Sequence, residues 1–351
     1  MLPSGFEYDV RCGLCAIGQR RQAQQQPAID LACAQCQLAV GTPAATNSSA
    51  RVAGLCLVGA AFLWGSSFVV TRVAVQDLAP SVVTFARCGI AAALLLLVLA
   101  RSDAGARSRA ARVGRGWIGW AALCGVATGA AFWLIAIGMQ GASSTAAGIT
   151  MAMVPVWTLL IAGSLGIDQL GIRQYLAVGV GSVAFALLII PRETPILVQG
   201  VVAFAVAAAA HACANIASHF GLRNTSPLQV AAVSMVTATL TTAPAAWWSL
   251  PTRAPGTAAI AATIALGVLP SAAAYLLYFR AVRVLGAGRA AITNYLIMPI
   301  GLICGVAALG ERPDVLTLAA LLLAGGALTL GVSDRIWPRL WQRTDARSLA
   351  R

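Results

Sequence analysis

Long apolar runs, broken by short clusters of polar residues, proline and glycine, set the rhythm of this 351-residue chain. Ten windows stay apolar over the roughly 17–25 residues that a bilayer demands. They lie near 52–71, 81–100, 117–139, 145–167, 174–190, 200–220, 228–250, 258–279, 287–309 and 315–333. The pattern is also written twice. Ala60–Val83 aligns without a gap on Ala207–Val230, with Pro80 on Pro227, and Ala146–Asp168 lies over Ala290–Arg312, with Pro155 on Pro299. Each half holds five windows. Five is odd, so the second copy enters the membrane from the opposite side. The prediction is an all-α membrane protein of ten transmembrane helices built as a 5+5 inverted repeat, an architecture of alternating-access carriers. The expected divisions are a tail at 1–50, a first repeat at 51–191, a second at 195–334, and a basic tail at 335–351.

Composition agrees with that pattern. The chain is 59% hydrophobic and 10% charged, more apolar surface than a soluble core of this size would hide. A net charge of +13 raises nucleic acid as a partner, but its distribution excludes that. The basic residues are all arginine, and 18 of them fall before the first window, after the last, or in loops of that same side. Only Arg72, Arg192, Arg253 and Arg312 fall on the other side, and Arg87 and Arg280 are counted with the spans themselves. The positive-inside rule then places both termini in the cytoplasm, which an even number of spans also requires. Trp337 and Trp341, four apart among arginines, read as an anchor at the lipid surface or as part of a disordered tail.

Residues 1–50 differ from the rest. They are Gln-rich, and Cys12, Cys15, Cys33 and Cys36 have the spacing of a four-cysteine zinc site. No alternating strand pattern surrounds them. A zinc-binding tail, a disordered tail and an over-extended start are the readings that stand, disorder ahead of zinc.

Polar groups inside hydrocarbon are costly and therefore functional candidates. Arg87 lies several residues into the second window, suited to an anionic substrate group or to helix carbonyls. His211, Asn215 and His219 follow at steps of four and share one helical face. His211, the deepest, reads equally as a substrate or proton ligand and as a neutral histidine on a backbone carbonyl. Thr150, Thr158 and Asn294 are further candidate cavity liners, as are Trp64 and Tyr275 among the aromatics within windows. Pro155 and Pro299 fall mid-window and read as paired hinges or as packing prolines. No aspartate or glutamate lies within any window, which argues against a buried-carboxylate proton relay. The spans carry no matched catalytic constellation, so an enzyme is not expected.

Trp64–Val75 (WGSSFVVTRVAV), Pro80, Arg87 in FARCGIAAALLL, Pro155, and Leu309–Val315 (LGERPDV) resemble the EamA domain of the drug/metabolite transporter superfamily. The resemblance spans about 52–333. It implies a ten-helix inverted repeat in the cell inner membrane with cytoplasmic termini. It also implies a central cavity that moves amino acids or similar small metabolites, with export favoured. The expected partners are that solute and lipid, the assembly a monomer or homodimer, and no cofactor beyond zinc in the tail. Alternatives are a nucleotide-sugar or lipid-linked substrate carrier, and a receptor or interaction protein using a zinc-binding tail. The halves depart from one another. Trp64 faces His211 in the alignment, Arg87 faces Ser234, and Gly166-Ile167-Asp168 stands where the family often has Gly-Glu.

Overall fold

The computed structural model describes residues 47–101, 116–151, 153–166, 172–189, 195–221, 225–285, 293–327 and 329–330. Every regular element among them is helical. In chain order these are α1 (Asn47–Ala74), α2 (Pro80–Arg101), α3 (Gly116–Gly141), α4 (Ser144–Met151), α5 (Val154–Ser164), α6 (Ile172–Ile189), α7 (Pro195–Gly221) and α8 (Pro227–Trp248). There follow α9 (Thr257–Val268), a π-helical turn at Leu269–Ala273, α10 (Ala274–Leu285), α11 (Thr293–Leu309) and α12 (Val315–Ala327).

Seven stretches are long and apolar enough to cross a membrane, and three shorter apolar helices lie at 175–188, 296–309 and 315–327. All ten fall on the windows expected from sequence. Their outward faces are apolar: Leu55 is 72% exposed, Leu240 67%, Ile303 64% and Leu322 77%. Leucine and isoleucine in a ring around the bundle are at home against lipid tails. The protein is a multi-pass membrane protein. The cysteine set Cys12, Cys15, Cys33 and Cys36, and both tails, lie outside the described residues.

Local chemistry sets several helix ends. Ser226 caps α8 by accepting from Gln229 N at 3.3 Å, the Gln229 side chain accepts from Ser226 N at 3.2 Å, and Pro227 occupies the first turn. Gly166 and Gly310, equivalent in the two repeats, both take left-handed φ, 67° and 64°, just past α5 and α11. Here the repeat shows in backbone conformation as well as in sequence.

The fourth window differs from its expected form. Pro155 does not kink a continuous helix. The window breaks into α4 and α5 around Met153, and Pro155 sits in the first turn of α5, where no intrahelical N–H is needed. Pro299 does lie inside α11. The paired prolines thus have different backbone settings.

The core joins the two halves. α7 packs along α3, α8 lies against both α2 and α3, α9 against α2, and α11 against α4. Phe204, Met235 and Leu266 of the second half are fully buried with Leu95, Met139 and Ile149 of the first. Small residues permit the closest crossings. A Cβ on Gly138 would lie 2.9 Å from Gly200 O, and one on Gly200 would lie 2.8 Å from Ala142 Cβ. Gly138→Ala and Gly200→Ala are therefore expected to lower stability by about 1–3 kcal/mol through overpacking. Gly54→Ala, whose Cβ meets nothing within 4 Å, is expected not to lower it. Thermal unfolding of the three variants in detergent checks this.

Candidate functional site: a cavity between the two halves

Between the halves lies a cavity of about 370 Å³. Its walls come from α1 (Trp64, Ser67, Phe68), α2 (Arg87), α3 (Cys124–Ile135), the α4–α5 break (Met151, Val154), α7 (His211–Ser218), α8 (Val230–Met235), α10 (Tyr275, Tyr278) and α11 (Ile297). The lining of α7 belongs to its last turns, and that of α8 to its first two. The cavity therefore extends toward the end of the bundle where α7 gives way to α8, the Gly221 end.

Phe132 organises its deepest part. The Arg87 guanidinium carbon stands 3.9 Å above the ring centre, a cation–π contact in a desolvated place. The His211 ring meets Phe132 at 5.5 Å and 61°. Arg87 is 4% exposed, and its Nε donates to Ser271 Oγ at 3.0 Å. No carboxylate among the described residues pairs with it. His211 Nδ1 is buried without a hydrogen-bond partner; the Ala207 carbonyl lies beside it but outside bonding geometry.

Ser271 belongs to the π-turn, and the reason for that turn is Pro270. Proline cannot donate, and its ring disturbs the α ladder, so the backbone widens for one turn. Trp64 Nε1 donates to Pro270 O at 2.9 Å. Trp64 also meets Tyr275 edge-on at 5.6 Å and Tyr278 at 5.3 Å. Trp64 and Arg87, both of the first half, thus hold the irregular turn of the second.

At the opposite end charged side chains bind helix ends together. Arg72, in the last turn of α1, donates through Nη1 to Met139 O and to Ala142 O at the C-terminal end of α3. Glu311, just past α11, accepts at the start of α4. Its Oε1 takes Ser144 N at 2.6 Å and Ser144 Oγ at 2.8 Å; its Oε2 takes Thr145 N at 3.1 Å and Thr145 Oγ1 at 2.7 Å. A cation on helix carbonyls and an anion on helix amides both match the helix dipole. Ser144 and Thr145 are buried beneath them. Gly305 makes room, since a Cβ there would lie 2.6 Å from Glu311 Oε2. On the same side Asp77 Oδ2 accepts from Gly256 N at 3.1 Å.

Two copies of one family model, the EamA-like transporter family, match residues 52–190 and 198–332. The chain belongs to the EamA-like transporter family. Its two-repeat architecture follows from those two matches. Fifteen chains of solved structures also match. One, described only as "Crystal structure of protein", is 19% identical and covers 80% of this chain and 97% of its own, with a TM-score of 0.55. That likeness speaks for the fold alone. A search of curated proteins gives no match.

Of the residues singled out from sequence, Trp64, Arg87, His211, Asn215 and Tyr275 all border this one cavity. So does Ser234, the repeat counterpart of Arg87, whose Oγ donates to Ala121 O at 3.0 Å. Thr150 is placed otherwise. It is buried and its hydroxyl donates to Ala146 O at 2.8 Å, so it serves its own helix rather than the cavity. Thr158 likewise donates to Val154 O. The side chains of Asn294 and His219 lie outside the described residues. Phe132 and Ser271 escaped the sequence reading. A serine beside a mid-span proline was the available signal for Ser271; Phe132 had none.

Ser271→Ala removes the acceptor of a buried guanidinium N–H. It is expected to cost roughly 1.5–3 kcal/mol. In an Arg87→Gln background the same change should cost under about half of that. Unfolding midpoints of the two single variants and the double variant check this.

Proposed function

We propose that this EamA-family membrane transporter is a secondary carrier that exports amino acids or similar small organic metabolites across the inner membrane by alternating access. Its ten spans would form the 5+5 inverted repeat, with both termini cytoplasmic. One observation carries the reading: a cavity between the halves reaches toward one end, while charged side chains bind helix ends together at the other. Such a molecule has one face to load and one barrier to open. By the arginine count, the Gly221 end is the cytoplasmic one, so the cavity faces the compartment from which an exporter loads.

The halves differ where alternating access needs them to differ in energy. The repeat places Ile167 opposite Glu311, Gly288 opposite Ser144, and Arg289 opposite Thr145. The carboxylate clamp is thus encoded in one copy and not in the other. Opening the Glu311 end must release four hydrogen bonds to one carboxylate, and the barrier on that face is stiffer by their sum. Pro299 within α11 and the α4–α5 break beside Pro155 would serve as the flexing points.

Two measurements test this. Purified protein in proteoliposomes, loaded with a panel of amino acids and other small metabolites, is expected to show counterflow of at least one; no flux over the panel from folded protein overturns the reading. A single cysteine at Ile149, which is 1% exposed, should resist an impermeant maleimide added from the Glu311 side. Glu311→Gln should raise its labelling rate at least tenfold, and an unchanged rate would show that the clamp is no barrier.

A further inference from the structure

We infer that the cavity selects organic anions, specifically a monocarboxylate on a flat apolar body, with Arg87 and His211 receiving the carboxylate; this rests on the transporter reading above. Among the described residues the lining contains an arginine and a histidine, and no aspartate or glutamate. Arg87 donates through Nε to Ser271 Oγ. It borders the cavity, and no carboxylate among the described residues pairs with it. A guanidinium held in a low-dielectric place without a counter-charge is costly, and an entering carboxylate supplies the missing partner with bidentate geometry. An entering ammonium meets the same charge with repulsion.

His211 adds a second, independent group. Its Nδ1 is buried and unpartnered, and the ring shares Phe132 with Arg87. A neutral imidazole offers one N–H donor, on Nδ1 or Nε2 according to tautomer, and a charged one offers two. The two side chains thus converge on one small region from α2 and α7, one from each half. Five aromatic side chains, Trp64, Phe68, Phe132, Tyr275 and Tyr278, give the walls broad flat surfaces, with neutral polar groups such as Asn215 and Ser234 among them. A volume of about 370 Å³ sits at the lower end of ligand sites, the size for a small metabolite rather than a nucleotide sugar.

The test uses four probes with one body: 3-phenylpropionate, phenylalanine, 3-phenylpropanol and 3-phenylpropylamine. Binding to the purified full chain in nanodiscs is measured by calorimetry, and counterflow is measured in proteoliposomes. The carboxylate is expected to bind at least tenfold tighter than the amine, with phenylalanine and the alcohol between them. Arg87→Gln should abolish that preference while changing alcohol binding less than threefold, and Arg87→Lys should keep part of it. His211→Gln, which leaves the Ser271 bond in place, should weaken carboxylate binding three- to tenfold; it keeps the test decisive if Arg87→Gln does not fold. Equal or tighter amine binding overturns the anion inference while leaving transport intact. Preference for the carboxylate that survives both Arg87→Gln and His211→Gln overturns the residue assignment. Failure of all four probes to bind or move overturns both the inference and the cavity's role in transport.

Discussion

Hydrocarbon offers no water to a backbone, so each amide and carbonyl left out of a helix must be met by a side chain. The rest of this structure depends on that constraint. The chain leaves the α ladder at two places of consequence. At the π-turn, Pro270 loosens the eighth apolar stretch, and Trp64 takes its carbonyl while Arg87 takes the neighbouring Ser271 hydroxyl. Between α3 and α4, Arg72 takes the closing carbonyls and Glu311 the opening amides. In both, a side chain from one half of the molecule satisfies irregular backbone of another segment. In three of the four cases the contact joins the two halves.

These contacts also explain why the cavity has the character it does. Arg87 is drawn inward by Ser271 and laid on Phe132. Trp64 is turned edge-on to Tyr275 by its bond to Pro270 O. Groups recruited to repair the backbone end up as walls of the space between the halves. Arg87 thus holds the π-turn through Nε while lining the cavity.

Much of this was legible in the sequence. Helix positions follow from apolar length, because the bilayer imposes that length irrespective of packing. The two-repeat architecture is marked by aligned prolines, and the left-handed glycines Gly166 and Gly310 repeat it in the backbone. The polar positions where the copies disagree, Trp64 against His211 and Arg87 against Ser234, all reach one cavity. Thr150 did not, because a threonine in a helix can spend its hydroxyl on the carbonyl four residues back. Pro155 could not be told from Pro299 by sequence, since both sit among apolar residues. Only the backbone shows that one lies in the first turn of a helix and the other inside one.

What the sequence determined by itself is the helical membrane architecture, its doubling, and the family, all of which rest on one-dimensional periodicity and order. What the tertiary structure alone decided is which ends are bound together. Glu311 lies more than 160 residues from Ser144, and Arg87 lies 184 from Ser271. No local preference encodes such pairs. They form because helix packing brings unsatisfied donors and acceptors within reach in a medium that leaves them no other partner.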